Sequence, residues 1–154
     1  MNITISETVN TVATFQAINR LSKLQRGILL RALRSVVEYV APDDDDGGPR
    51  LYFAEIYRDV LGWPMERKWY EPKSAAERCY GPGEQAFRPS QIGRERYNVG
   101  HAAVSRSVRR LEERGLLAFV RGVHFPWTAI ALTDAGIALA GRLANMEGGP
   151  TDAA

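Results

Sequence analysis

Arginine side chains and short polar residues recur at helical spacing in the stretch "NVGHAAVSRSVRRLEERGLL", residues 98–117. On a helix, Arg106 and Arg109 lie side by side, with Ala102 one turn before them. The aliphatic residues fall on the opposite face: Val104, Val108 and Leu111. Guanidinium groups bind phosphate oxygens and guanine edges, so this pattern indicates a helix that lies in a groove of DNA. A surface helix with a solvated basic face has the same pattern, and both interpretations stay open at this point.

The positive charge of the chain is concentrated around this stretch. Residues 94–121 contain seven arginines and three acidic residues, a net charge of +4, whereas the whole chain of 154 residues carries +2. The remaining residues therefore sum to −2. A local basic patch on a nearly neutral protein is compatible with nucleic-acid binding.

The residue types that catalysis and metal binding usually require are scarce. The chain has two histidines, His101 and His124, and one cysteine, Cys79, at spacings unrelated to a zinc site. The segment "GPGEQ" (81–85) does not follow a predicted strand and so lacks the context of a nucleotide-binding loop. The consecutive aspartates 43–46 lack the spacing of a calcium loop and are expected to be solvated. We therefore predict no enzymatic activity, no metal and no cofactor.

The ends and the apolar runs of the chain suggest a location. The N-terminal segment is polar and lacks the basic start of a signal peptide. No apolar run approaches the roughly 20 residues that a membrane-spanning helix needs. A single cysteine leaves no internal disulfide. These features predict a cytoplasmic protein.

Three segments before the basic stretch have helical periodicity: residues 6–21, 23–40 and 51–62. Gly62 and Pro64 end the third. Their apolar faces are formed by Val12, Phe15, Ile18 and Leu21 in the first segment, by Leu29, Ala32, Leu33, Val36 and Val40 in the second, and by Phe53, Ile56, Tyr57 and Val60 in the third.

An irregular insert is predicted at about residues 64–97, which are rich in proline, glycine, aromatic residues and arginine, with a short helix at 73–79. Aromatic residues interleaved with basic ones suit nucleic-acid backbones and exposed bases, and they suit ordinary packing equally well. After the insert, Asn98 is predicted to cap a helix that runs to Arg114 and ends at Gly115.

Two short strands and a last helix follow. The strands are predicted at residues 116–121 and 128–133, with "GVHFPW" (122–127) as the turn between them. Thr133 is predicted to cap a helix over 134–145. The tail beyond it, "MEGGPTDAA", is expected to be disordered.

The order of these elements and two motifs resemble the winged helix-turn-helix domains of the broad MarR-like family. "AAVSRSVRRLEERGLL" (102–117) is similar to the family's recognition helix, and "TAIALTDAGIALA" (128–140) leads from a wing strand into Leu-Thr-x-x-Gly. The resemblance covers about residues 23–145. It implies an α+β fold that is mainly helical with a small β-hairpin wing, residues 98–114 being the recognition helix and 116–133 the wing.

The resemblance further implies sequence-specific binding to double-stranded DNA by a transcriptional regulator of the repressor type. Eleven residues are expected at the DNA: Asn98, His101, Ala102, Ser105, Arg106, Arg109 and Arg110 on the helix, Arg121 and His124 on the wing, and Arg94 and Arg96 before the helix. Small side chains at the start of the helix are expected to let its backbone approach another surface closely: Gly100, Ala102, Ala103 and Ser105.

The chain departs from the family pattern in three places. Its wing, "RGVHFPW" (121–127), is short and apolar and lacks the family's Asp-x-Arg motif, and the insert stands where the family has a short turn. The last helix lacks the long extension with which such regulators dimerise. An alternative function is therefore a winged helix that serves as a protein-interaction module in a larger assembly, through the apolar wing and the insert.

The expected organisation has three parts: an N-terminal helix or arm (1–22), the winged helix domain with its insert (23–146), and a tail (147–154). The apolar face of residues 6–21 is more than a small domain needs, so a homodimer through this segment is predicted. The alternative is a monomer whose first helix folds back on its own core.

Overall fold

The computed structural model describes residues 5–40, 48–64, 66–67, 85–120 and 129–148. The helices are α1 (Ile5–Asn19), α2 (Lys23–Val37), α3 (Phe53–Glu55), α4 (Pro89–Ile92), α5 (Arg94–Glu113) and α6 (Asp134–Glu147), and α3 continues as a π-helical segment, Ile56–Val60. The strands are β1 (Leu51–Tyr52), β2 (Glu66–Arg67), β3 (Gln85–Ala86), β4 (Leu117–Val120) and β5 (Ala129–Leu132). The chain is thus mostly helical with a small antiparallel sheet, as the predicted α+β class requires.

A three-stranded antiparallel sheet in the order β1-β5-β4 forms one side of the core. Strands β4 and β5 confirm the predicted hairpin, with Leu117 opposite Leu132, while the predicted turn between them lies outside the described residues. Strand β1 joins β5 with Leu51 opposite Ile130. A second, two-stranded ribbon pairs β2 with β3.

The predicted helix over 51–62 is wrong at its start, because Leu51 and Tyr52 form β1 and the helical turn begins only at Phe53. The side chain of Leu51 is buried, and its backbone pairs with β5. The helical part buries Ile56 and Tyr57 as predicted. Its hydrogen bonds widen to the π spacing, since the Leu61 amide donates to the Ile56 carbonyl at 3.2 Å.

Helix α2 crosses the core and begins with a capping box. The Gln25 amide donates to the Ser22 hydroxyl at 3.2 Å, and the Ser22 amide donates to the Gln25 side chain at 3.0 Å. Leu29 and Ala32 are buried as predicted, together with Ile28, which the predicted stripe left out. The helix ends at Val37 rather than residue 40, so Val40 lies beyond it and is exposed.

Arg31 ties α2 to the α3 and π-helical segment. Its guanidinium donates to Glu55 at 2.9 Å and to Asp59 at 2.8 Å, and also to the hydroxyl of Ser35 at 2.8 Å. Hydrogen bonds from Arg58 and then from Arg31 lower the pKa of Asp59 to about 2. Charge-assisted bonds between elements that are far apart in sequence hold the two helical segments in one arrangement.

The N-terminus of α6 is clamped to the segment that follows α5. The Thr133 hydroxyl accepts from the Gly136 amide at 3.1 Å and donates to the Gly115 carbonyl at 2.6 Å, which confirms the predicted cap and extends it. The Thr133 amide donates to the Leu116 carbonyl at 3.2 Å. A Cβ on Gly136 would lie 1.8 Å from that same carbonyl oxygen. The Leu-Thr-x-x-Gly motif therefore has a structural reason, since only glycine permits this approach.

Helix α1 folds partly onto the core. Ile18 and Leu21 are buried, whereas Val12 and Phe15 are each 53% exposed. Arg142 of α6 donates a hydrogen bond to the hydroxyl of Thr14. The predicted apolar face of this helix is therefore divided between the chain's own core and an exposed part.

The predicted insert, 64–97, is only partly described. Residues 89–97 form α4 and the first turn of α5, which shows that the C-terminal end of the insert is helical. The predicted helix at 73–79 lies outside the described residues, as do residues 149–154 of the tail. In the described ranges, no helix is both long and apolar enough to cross a membrane.

Gly136→Ala is expected to destabilise the protein by about 1–3 kcal/mol, because the added methyl group overlaps the Leu116 carbonyl. Gly141→Ala is the matched control on the same helix, since a Cβ there meets no atom within 4 Å. It is expected to stabilise the protein by about 0.5–1 kcal/mol through helix propensity. Urea denaturation of the three proteins checks this, and equal effects of the two substitutions would contradict the close approach.

Candidate nucleic-acid interface

One face of α5 is packed into the core along most of its length. Val104, Val108 and Leu111 are fully buried, as predicted, and belong to the same cluster as Ile28 and Leu29 of α2. Ser107, between them, is also buried. This packing determines the rotation of the helix about its own axis and therefore which side chains reach solvent.

The opposite face of α5 is exposed and carries most of the predicted DNA-binding residues. Those that the structure places in solvent are Arg94, Arg96, Asn98, Ala102, Ser105, Arg106, Arg109 and Arg110. Arg106 and Arg109 lie about one turn apart on this face, with Ala102 one turn before Arg106. The helix thus brings Arg106 and Arg109 together on one solvent-facing side, whereas Arg94 and Arg96, two residues apart in the first turn, point in nearly opposite directions.

Helix α5 begins at Arg94, four residues before the predicted start, so the prediction that Asn98 caps it is wrong. The residue at the N-cap is Gly93, whose φ of 94° turns the chain sharply between α4 and α5. The Tyr97 amide donates to the Gly93 carbonyl at 2.8 Å. Asn98 is therefore an interior helical residue, and its exposed amide group does not cap the helix.

Gly100 approaches another surface closely, as expected, but that surface is Trp63 of the same chain. A Cβ on Gly100 would lie 2.3 Å from Cζ2 of the indole ring. Trp63 is buried and stacks on Tyr57 at a centroid distance of 5.0 Å. The glycine thus serves the packing of the N-terminal half of α5 against the body of the protein.

His101 does not join the exposed face, contrary to the prediction that it faces DNA. Its ring centroid lies 4.3 Å from that of Tyr57, 4.4 Å from that of Tyr97 and 5.3 Å from that of Trp63. Its Nε2 is enclosed and has no hydrogen-bond partner among the described residues. Burial lowers the pKa of His101 and also raises that of Tyr57 to about 12. The neutral imidazole is therefore part of an aromatic cluster in which Tyr97 and His101 of α5 pack against Tyr57 and Trp63.

The arginines of α5 differ from other arginines of the chain in their electrostatic surroundings. Within the described ranges, ion pairs join Arg31, Arg34 and Arg58 to acidic residues, and none involves an arginine of α5. The sequence has no acidic residue between Glu95 and Glu112. Helix α5 carries five arginines and three glutamates, and among the described residues no ion pair joins the two, so this helix has an excess of positive charge that can attract an anionic partner.

Other predicted elements of the site are not in the described part of the chain. Arg121 and His124, which the resemblance places on the wing, lie outside it, so their contribution stays a prediction. Among the described residues, no group of three or more histidine, cysteine, aspartate or glutamate side chains could hold a metal ion.

Comparison with known proteins found no matching family model, no matching curated protein and no matching solved structure.

The burial of His101 makes the stability of the fold depend on pH. Below pH 6.5, the ordinary pKa of histidine, the unfolded chain binds a proton at this position more readily than the folded chain does. The free energy of unfolding should therefore fall as the pH is lowered through this range, whereas above it both states are neutral at this position.

His101→Phe keeps an aromatic ring and removes the titrating group, so its stability should fall less between about pH 7.5 and about pH 5. Asp59 does not interfere, because its pKa of about 2 lies below this window. Urea denaturation followed by tryptophan fluorescence at several pH values checks this. The same pH dependence in both proteins would contradict the assignment of His101 to the cluster.

Proposed function

We propose that this chain is a winged helix-turn-helix protein that binds double-stranded DNA sequence-specifically and acts as a transcriptional regulator of the repressor type. The proposal rests on one observation above all. A helix whose rotation is set by three buried residues presents Arg106 and Arg109 on one exposed face, and neither forms an ion pair within the described part of the chain. Sequence and geometry thus favour an anionic partner at α5.

The dimensions of α5 suit the major groove of DNA. Its 20 residues extend for about 30 Å, and a helix about 10–12 Å wide fits a groove about 12 Å wide. Ala102 and Ser105, which are small and exposed, lie at the middle of the face and permit close approach. The arginines on either side can then bind phosphates, which position the helix, or base edges, which provide specificity.

The hairpin of β4 and β5 supports the winged helix interpretation. β4 starts four residues after α5 ends, and the Thr133 clamp joins the base of the hairpin to the end of α5. The base of the hairpin therefore lies beside the C-terminal end of the proposed recognition helix. Arg121 and His124, which follow β4 in the sequence, are proposed to contact DNA that flanks the groove.

We expect Arg106→Ala and Arg109→Ala each to weaken binding to duplex DNA without unfolding the protein, since both side chains are exposed. A residue that contacts a base should lose about 1–3 kcal/mol of binding free energy and relax specificity at one position. Fluorescence anisotropy with a mixed-sequence duplex, at several salt concentrations, gives the affinities. Circular dichroism verifies the fold.

Arg34→Ala is the matched control, because this arginine is exposed on α2 and pairs with Glu38. It should leave DNA binding unchanged. Unchanged affinity in both α5 variants at more than one salt concentration would contradict the groove assignment and favour the protein-interaction alternative.

For assembly, we propose a homodimer that covers the exposed part of α1. Val12 and Phe15 are half-exposed on a helix whose Ile18 side chain is buried in the chain's own core. A two-fold dimer places two recognition helices on half-sites about one helical turn, roughly 10 base pairs, apart. Such an arrangement doubles the contacts that one small domain can make.

The double substitution Val12→Ser, Phe15→Ser is expected to convert the dimer to a monomer and to leave the helical content unchanged. Point substitutions are preferable to removal of the helix, because Ile18 and Leu21 belong to the core. Sedimentation velocity at tens of micromolar distinguishes the states. If the unmodified chain sediments as a monomer, or the variant as a dimer, this interface is wrong.

A further inference from the structure

Val99 is an exposed aliphatic side chain on an otherwise polar face. It lies on α5 between Asn98 and Ala102 in the folded helix, and it is 59% exposed. The core does not use it, since the buried face of α5 is formed by other residues, and the arginine-based proposal for DNA binding does not use it either. A solvent-facing valine in the N-terminal half of the proposed recognition surface suggests an apolar group on the partner.

We infer that Val99 determines part of the sequence specificity by contacting the methyl group of a thymine, with Asn98 bound to an adjacent adenine. This inference rests on the proposed function. It assigns the N-terminal half of the face to A·T pairs and the arginines of the C-terminal half to guanine.

The chemistry of the major groove supports this division. Thymine is the base that presents a methyl group there, and aliphatic side chains pack against it. An asparagine amide matches the N6 donor and N7 acceptor of adenine, and arginine matches the two acceptors of guanine. The exposed amide of Asn98 does not cap the helix and is therefore available for such a pair.

The spacing along α5 separates the two kinds of contact. Asn98 and Arg106 are eight residues apart, which is about 12 Å along the helix axis. Base pairs follow one another at 3.4 Å per step, so this distance corresponds to at most three or four steps, because a helix in the groove is inclined to the duplex axis. A half-site with an A·T pair at one end and a guanine within about four pairs of it is the expected target.

Exposure alone does not distinguish Val99, and a second exposed valine provides the control. Val37, at the end of α2, is 77% exposed and lies outside the basic face. Val37→Ala therefore removes the same methyl groups from the surface without changing the proposed interface.

The test begins with selection from a randomised duplex library by the full chain. The selected duplex is then synthesised in its thymine form and in a series of variants. In each variant, uracil, which lacks only the methyl group, replaces the thymine of one A·T pair. At one position, uracil should reduce the affinity of the unmodified chain about fourfold, the ratio that burial of one methyl group supplies.

Val99→Ala should bind the thymine duplex about fourfold less tightly and should not distinguish it from the uracil duplex. Val37→Ala should behave as the unmodified chain, and Asn98→Ala should lose the preference for adenine at the neighbouring pair.

The inference is overturned if the selected site has no preferred A·T pair, if uracil has no effect at any position, or if Val99→Ala retains the full thymine preference. Failure of the proposed function has a different signature. In that case no sequence is enriched, and the unmodified chain binds no duplex even at low salt. A chain that binds duplex DNA but ignores the thymine methyl group contradicts the role of Val99 alone.

Discussion

The burial of Val104, Val108 and Leu111 is the constraint on which the rest of the structure depends. These three side chains set the rotation of α5, and the rotation decides which residues face solvent. The contact of Gly100 with the Trp63 ring holds the N-terminal half of the helix against the protein as well. The exposed face therefore lies on a helix whose rotation is set by its packing, rather than on a loop. Recognition of base edges requires such a surface, because a small rotation would replace one set of contacts by another.

Other interactions hold the neighbours of α5 in place. Arg31 joins α2, which covers the buried face of α5, to the helical segment that carries Glu55 and Asp59. The hydrogen bond from the Thr133 hydroxyl to the Gly115 carbonyl and the close contact of Gly136 with the Leu116 carbonyl join α6 and the hairpin to the residues that follow α5. These links lie outside the exposed face of α5, and none of them uses an arginine of that face.

Much of this architecture was predictable because the hydrophobic periodicity of the sequence is strong. The buried and exposed faces of α5, the β4–β5 hairpin and the Thr133 cap follow from local patterns. The start of α5 could not be predicted from local patterns, because Asn98 is a favourable N-cap residue. Gly100 also resembles a helix-breaking residue until its contact with Trp63 is known. β1 was missed since two residues are too few to show an alternating pattern. The position of His101 depends on Tyr57 and Trp63, which are distant in sequence and which no local pattern reveals, as well as on Tyr97 one turn before it.

We propose that duplex DNA binds to the solvent-facing side of α5, and a titration of the isotope-labelled full chain with a DNA duplex, followed through the amide resonances in NMR spectra, tests this proposal. The largest shifts are expected at residues 98, 102, 105, 106 and 109, with small shifts at 104, 108 and 111. Shifts confined to other parts of the chain, or no shifts at low salt, would contradict it.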